Sequence, residues 1–245
     1  MGNTTIGDVR AAGNQGLQAA QAGRADLASR YFSDALDRAG DLADPRTRRD
    51  ELSSLSTLFD ESGFPDLALT AAEESVALDR ELGLDILIQG DLLNVGTAHL
   101  NLDNDAKAEA VFREVLNNAV ARGSWANAAS ANTNLGNVLA KHDDMKGATA
   151  AYEKSLEYLA KEAFDDTELN TRLMLLQTSV IGQHDVDRTL VNARTLYQKF
   201  WEDLQDGHRQ AITALITQAV DRYLAAHPQQ DARAWKAKTF PAIFR

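Results

Sequence analysis

A stack of antiparallel helix pairs is the architecture that this sequence predicts, so the expected fold class is all-α. Only four prolines and fifteen glycines interrupt 245 residues, and the commonest residues include the good helix formers Ala, Leu, Glu and Arg. The runs of β-branched and aromatic residues that would mark strands are missing. The strongest observation is a repeat of forty residues. Alanine recurs at that interval in each predicted second helix, at Ala28, Ala68, Ala108 and Ala148.

Three further sets of positions keep the same interval. Four residues after each alanine stand Phe32, Ala72, Phe112 and Tyr152, and eight residues after it stand Leu36, Val76, Leu116 and Leu156. The first helix of each pair has a small residue, at Gly16, Ser56, Gly96 and Gly136. Two helices joined by a tight turn approach closely only where side chains are small. An isolated pair cannot bury its apolar face, and several pairs must therefore stack.

The first two repeats are predicted at residues 9–46 and 47–84. A helix from about Thr5 to Ala22 breaks at Gly23, and the second helix of this pair ends at Asp44-Pro45, because proline disfavours helix in the residue before it. In the second repeat, Pro65 suits the first position of a helix, where no backbone donor is needed.

The third and fourth repeats are predicted at residues 85–123 and 124–164. Asp85 and Ser124 are plausible N-caps for their first helices. Residues 103–105 and 142–144 form the turns, and Asn104 is expected to take the left-handed conformation of the first of these turns.

A fifth repeat at residues 165–205 is degenerate, because Arg188 stands where a small residue is expected. A shift of one or two residues, using Leu190, Ala193 and Tyr197, restores the apolar stripe. A helix at 206–227 is expected to cover the last repeat, so residues 1–229 form one repeat domain. Residues 230–245 follow as a tail.

The fourth repeat resembles the tetratricopeptide repeat (TPR) family. It has N-L-G-N at 134–137, a turn at 142–144, and then Ala148, Tyr152 and Leu156. The resemblance covers about residues 9–164 and implies an α-solenoid that winds into a right-handed superhelix. The forty-residue period exceeds the usual 34 and is similar to the long repeats of kinesin light chain and peptide-sensing bacterial regulators. Gln15 and Ala72 depart from the family pattern.

Composition and motifs argue against several classes of function. The chain has no cysteine, which excludes disulfides and thiolate metal sites and suits a reducing compartment. Its five histidines lack metal-ligand spacing, and no phosphate-binding loop or nucleophile elbow appears. No enzyme activity, cofactor or metal is therefore expected. A net charge of −11 disfavours nucleic acid as a partner. Without an apolar leader or an eighteen-residue apolar run, a cytoplasmic protein without a membrane partner is expected.

The resemblance implies that the first helices line a concave groove that binds peptides. Helical spacing places seventeen residues on that side: Leu17, Gln21, Ser53, Thr57, Asp60, Glu61, Leu93, Thr97, Leu100, Asn101, Ser130, Thr133, Asn137, Lys141, Asn170, Leu173 and Gln177. Leucines among amides and hydroxyls suit a peptide, and Asn137 resembles a groove asparagine that holds a peptide backbone. For any one residue, an ordinary polar helix face or a buried leucine is the competing interpretation.

The predicted function is non-catalytic protein or peptide binding by a scaffold or adaptor. The partner's identity is open, and a basic or amphipathic partner suits an acidic chain. A peptide-sensing regulator and a self-assembling scaffold are the alternatives. The tail carries Arg233, Lys236 and Lys238 among apolar side chains. It has three candidate roles: docking in its own groove, docking in a second copy to form a homo-oligomer, or packing on the capping helix, which is favoured.

Overall fold

The computed structural model describes residues 4–162, 165–183, 185–204, 206–228 and 231–244. These ranges contain twelve α-helices and no strand, so the predicted all-α fold class is confirmed. The chain divides into two compact units, residues 1–122 and 123–245. The division lies between residues 122 and 123, one residue before the predicted end of the third repeat.

The first unit consists of three helix pairs. Its helices are α1 (Ile6–Gln21), α2 (Ala25–Gly40), α3 (Pro45–Glu61), α4 (Pro65–Leu82), α5 (Ile88–Asn101) and α6 (Asp105–Arg122). Thr5 and Asp8 form a capping box at the start of α1, which satisfies two backbone donors at once. The Asp44 side chain accepts from the Thr47 backbone N–H at 2.8 Å, and Pro45 is the first residue of α3. Asp44-Pro45 therefore starts α3, whereas α2 already ends at Gly40.

The prediction that Asp85 caps α5 is wrong. Residues 85–87 form a turn, α5 begins three residues later at Ile88, and its N-cap is Leu87. The Leu87 N–H donates to the Leu84 carbonyl at 2.9 Å. This tight turn takes the place of the first helical turn and leaves Ile86 84% exposed.

The turn inside each helix pair contains a residue with positive φ, and these residues also recur every forty positions. They are Gly23, Gly63, Asp103, Asp143 and Gln183, with φ between 52° and 81°. In the third pair the left-handed residue is Asp103. The prediction that Asn104 takes this conformation is therefore wrong. The Asn104 N–H instead donates to the His99 carbonyl at 2.9 Å and closes the end of α5.

The small residues of the first helices face the aromatic rings of the second. A methyl group added to Gly16 or Gly96 would overlap the ring of Phe32 or Phe112. In the second pair Ser56 is fully buried and its hydroxyl donates to the Ala68 carbonyl at 3.0 Å. The ring is replaced there by Ala72, and a larger residue on one helix is thus offset by a smaller one on the other.

A buried ionic network joins the second and third pairs of the first unit. Arg49 of α3 donates to the carboxylates of Asp79 (2.8 Å) and Asp91 (2.7 Å), and all three side chains are nearly inaccessible. Asp91 also accepts from the hydroxyls of Ser53 and Ser75. Burial and the nearby Asp91 raise the pKa of Asp79, although Arg49 acts in the opposite direction. Because each charge is hydrogen-bonded, the network fixes how α3, α4 and α5 pack.

The second unit starts with two further pairs and ends with a longer and a short helix. Its helices are α7 (Trp125–Lys141), α8 (Met145–Leu159), α9 (Asp165–Ile181), α10 (Val186–Phe200), α11 (Asp206–Ala226) and α12 (Ala232–Thr239). Gly136 again faces an aromatic ring, that of Tyr152, and burial raises the pKa of Tyr152 to about 12. In α10, Leu190 and Ala193 are buried while Arg188 is exposed, as the shifted register predicts.

The C-terminal tail belongs to the core of the second unit. Phe240 is fully buried, Trp235 stacks on Tyr223 of α11 at 5.2 Å, and the Ala242 N–H donates to the Tyr197 hydroxyl at 2.8 Å. Lys236 forms an ion pair with Asp221 of α11 at 2.6 Å. Three roles were considered for the tail, and the structure agrees with one of them, packing on the capping helix α11.

Candidate peptide-binding surfaces

The first helices of the pairs in the second unit border a groove with an apolar floor. Between α9 and α11 lies a cavity of about 370 Å³. Its lining is Leu169, Asn170, Leu173, Met174, Gln177, Leu204, Ala211, Ile212 and Leu215. Six of these nine residues are large apolar side chains, and Asn170 and Gln177 supply the only amide groups of this lining.

A second cavity, of about 360 Å³, adjoins the first and extends it towards α7. Its lining is Asn137, Ala140, Lys141, Met145, Tyr152, Met174, Gln177, Thr178 and Ile181. Met174 and Gln177 line both cavities. The two cavities together are called the apolar groove below. Five predicted site residues line it: Asn137, Lys141, Asn170, Leu173 and Gln177.

The amides of the apolar groove differ in their availability. Asn170 and Gln177 are exposed and lie seven residues apart on α9, or about 10 Å along the helix axis. Asn137 is partly engaged, because its oxygen accepts from the Tyr152 hydroxyl at 2.8 Å and its NH₂ group donates to Asn134 at 3.3 Å. A primary amide has two donors and one acceptor atom, so Asn137 keeps one N–H for a ligand.

Two predicted residues of the second unit lie outside the groove. Thr133 is buried, and its hydroxyl bonds to those of Ser155 (2.8 Å) and Thr171 (2.9 Å). It therefore holds α7, α8 and α9 together and is unavailable to a ligand. Ser130 is half-buried and lines neither cavity.

The first unit has a smaller and chemically different cleft between α3 and α5. Its volume is about 110 Å³, and its lining is Ser56, Thr57, Asp60, Glu61, Asn94 and Thr97. Four of these residues belong to the predicted set: Thr57, Asp60, Glu61 and Thr97. We call this cavity the acidic cleft. The predicted residue Asn101 borders it by donating to Asp60 at 2.7 Å.

The remaining predicted residues of the first unit line no part of this cleft. The Ser53 hydroxyl donates to the buried Asp91 at 2.5 Å, so it belongs to the ionic network. Leu93 and Leu100 are half-buried rather than exposed, as is Leu17, and Gln21 lies exposed at the end of α1.

The predicted set of site residues does not include every residue that lines the two surfaces. Ile212 and Leu215 lie on α11, for which the sequence predicts only a cap on the last repeat, whereas in the structure this helix also forms a wall of the groove. Asn94 in the acidic cleft was also missed, although the repeat itself contained a signal. It precedes Asn134 by forty residues, and Asn134 lies beside the groove residue Asn137.

Among the titratable groups with altered pKa values, Tyr152 lies in the wall of the apolar groove, whereas His99 and Asp79 line neither surface. Burial lowers the pKa of His99, whose Nδ1 has no hydrogen-bond partner among the described residues. Asp79 belongs to the ionic network. Within the same described ranges no three His, Cys, Asp or Glu residues are placed to hold a metal ion. His184 lies outside these ranges. No helix in them combines the length and apolar character needed to cross a membrane.

Comparison with known proteins supports the fold. No protein-family model matches the chain, and no curated protein matches it either. A Rap protein solved in complex with Competence and Sporulation Factor is 12% identical, with a TM-score of 0.68, over 98% of this chain and 70% of that one. The apo form of RapI is 14% identical, with a TM-score of 0.60, over 89% of this chain and 84% of that one.

A putative kinesin light chain of Podosopora anserina with nearly identical TPR-like repeats is 12% identical to this chain. The two structures have a TM-score of 0.50, over 89% of this chain and 96% of that one. At such identities the likeness concerns the fold alone. The fold is that of a TPR-type helical-repeat protein.

Proposed function

We propose that this protein is a non-catalytic scaffold that binds a peptide or an extended segment of a partner protein in the apolar groove of its second unit. The observation that carries this proposal is the pairing of a large apolar floor with the exposed amides of Asn170 and Gln177. Apolar side chains of a ligand gain free energy by leaving water, at roughly 25 cal/mol per Å². The amides offer donors and acceptors to peptide groups, and those groups need partners once they are partly buried.

The spacing of the two amides favours an extended ligand. They lie about 10 Å apart along α9, which equals about three residues of extended chain at 3.3 Å each. A large apolar side chain between the two contacted peptide groups would then lie over Leu173 and Met174, which occupy the same stretch of α9. The likeness to a Rap protein solved with a bound factor adds support from the fold. We further assign the repeats to the long, forty-residue variety of the TPR family, because equivalent positions recur every forty residues in the sequence.

The proposal is tested with an array of immobilised ten-residue peptides of random sequence, probed with the full-length chain. We expect the wild type to select peptides with a large apolar residue. The variant Leu173→Glu should bind them about tenfold or more weakly, because a buried apolar side chain contributes about 1.5–3 kcal/mol and would meet a charge. Val191→Glu is the matched control, since Val191 is a 63% exposed residue of α10 outside the groove. Identical selection by the wild type and Leu173→Glu would refute the proposal.

A further inference from the structure

We propose that the acidic cleft of the first unit binds the cationic head group of an arginine or lysine side chain of the partner. This inference rests on the proposed function, because it names a second chemical requirement of the same ligand class. The apolar groove and the acidic cleft would each recognise one type of side chain.

Hydroxyl groups in the wall present mainly acceptors to the cavity. The Ser56 hydroxyl donates to the Ala68 carbonyl and the Thr97 hydroxyl donates to the Leu93 carbonyl, both at 3.0 Å. Thr57 does the same towards the Ser53 carbonyl over a longer distance of 3.5 Å. A hydroxyl has one proton and two lone pairs. Once the proton is committed to a backbone carbonyl, only lone pairs remain for a ligand.

Two carboxylates stand beside these hydroxyls. Asp60 uses one oxygen to accept from Asn101 at 2.7 Å. Glu61 is exposed and forms no ion pair with any residue that the structure describes. No Lys or Arg lines the cleft. The two carboxylates would repel an anionic ligand, whereas they would attract a cationic one and form ion pairs with it.

The cleft also lies in the more acidic part of the chain. Residues 1–122 contain 11 Lys and Arg against 21 Asp and Glu, which is a net charge of −10. Residues 123–245 contain 14 against 15, a net charge of −1. Summed charge of one sign raises the local concentration of oppositely charged ligands. This electrostatic field attracts cations to the whole first unit. The cavity lined by acceptors is one site in that unit where a cationic group can bind.

Size and donor count favour a side-chain head group. A volume of about 110 Å³ suits an ammonium or guanidinium group and is smaller than a whole arginine or lysine residue, so only the head group would enter. Lysine brings three N–H donors and arginine five, and neither has an acceptor. Asn94, whose amide makes no hydrogen bond within the described residues, supplies a further acceptor oxygen. The cleft therefore offers hydroxyl, carboxylate and amide acceptors to a head group that has only N–H donors.

Two small probes test the cleft without requiring a known partner: N-acetylarginine amide and its neutral isostere N-acetylcitrulline amide. They are titrated into the ¹⁵N-labelled full-length chain, and the side-chain NH₂ signals of Asn94 and Asn101 are followed by NMR. We expect saturable shifts with the arginine probe and none with citrulline. Glu61→Gln should weaken binding about fivefold, the effect of losing one exposed ion pair of about 1 kcal/mol.

Glu74→Gln is the matched control, because Glu74 is an exposed acid of α4 that lies outside the cleft. Equal shifts with both probes, or equal weakening by Glu61→Gln and Glu74→Gln, would overturn the inference, since either result indicates a diffuse field or non-specific contact. The peptide array separates the two proposals. If the arginine titration fails while the selection of apolar peptides persists, only the proposal for the acidic cleft is refuted. If the selection of apolar peptides is lost, the proposal for the apolar groove is refuted.

Discussion

A single hydrogen at Gly96 allows α5 and α6 to pack closely. The Phe112 ring lies directly over this position, and a Cβ atom would overlap it. We expect Gly96→Ala to lower the free energy of unfolding by about 1–3 kcal/mol, the usual cost of overpacking. Gly90→Ala in the same helix is the control, because a Cβ there meets nothing within 4 Å; it should stabilise by about 0.5–1 kcal/mol. Urea denaturation followed by circular dichroism measures both, and equal effects would contradict this account.

The Gly96 contact was predictable because it repeats. Sequence spacing predicted that small residues allow the two helices of a pair to approach closely. The structure adds that an aromatic ring of the second helix covers the glycine of the first helix in the same pair. Phe32 also reaches the next pair, with ring centroids 4.8 Å from Phe59 and 5.1 Å from Phe64.

His99 gives the first unit a pH dependence. Burial, followed by the nearby Lys107, lowers the pKa of His99 in the folded state. The unfolded chain therefore binds a proton near pH 6.5 that the folded chain does not. Stability should fall as the pH drops from about 7.5 through this range, and the fall should end below the folded-state pKa. We expect His99→Gln to show a shallower loss over the same interval in urea titrations at several pH values. Parallel curves for both proteins would show that His99 makes no contribution.

At the scale of helices, the buried network of Arg49, Asp79 and Asp91 decides how the second and third pairs meet. Removing one partner of a buried ion pair leaves an uncompensated charge, which costs about 3–5 kcal/mol. We therefore expect Arg49→Met to destabilise the first unit by about that amount in urea denaturation. Arg38→Met is the control, since Arg38 forms an exposed pair with Asp34, and it should change little.

The repeat itself suggests a rescue of Arg49→Met. Forty residues after Arg49, Asp79 and Asp91 stand Gln89, Ala119 and Ala131. Replacing a whole buried ionic set by well-packed apolar residues of similar volume is often neutral or stabilising, and Gln89, Ala119 and Ala131 form a buried uncharged set at the equivalent positions. The triple change Arg49→Gln, Asp79→Ala and Asp91→Ala should therefore recover most of the stability lost in Arg49→Met. A triple variant less stable than Arg49→Met would show that volume, and not charge balance, dominates at this contact.

Helix boundaries and pair order were largely predictable, whereas the outward faces were not. The groove prediction assumed one buried stripe on each first helix. In the structure such a helix packs both against its own partner and against the following pair. Ser53 and Thr133 lie on this second contact. Ser53 donates to Asp91 of α5, and the Thr133 hydroxyl bonds to Thr171 of α9 as well as to Ser155 of its own partner helix α8. Polar side chains in that stripe look like surface residues in a sequence, because their partners lie some twenty to forty residues away.

At the scale of the whole chain, charge and apolar surface are divided between the two units. The acidic cleft lies in the unit with a net charge of −10, and the apolar groove lies in the nearly neutral one. Salt screens exposed charges, with a Debye length that falls from about 10 Å at 0.1 M to about 3 Å at 1 M. Apolar burial is not weakened by such screening, so the two surfaces should respond differently to ionic strength.

We therefore expect the preference for arginine or lysine in array-selected peptides to fade as ionic strength rises from about 0.1 to about 1 M, while the preference for a large apolar residue persists. The variants sharpen this test. Glu61→Gln should lose the basic preference at low salt and keep the apolar one, and Leu173→Glu should do the reverse. If both preferences declined together with salt, a single electrostatic contact would account for binding, and two chemically distinct surfaces would not be needed.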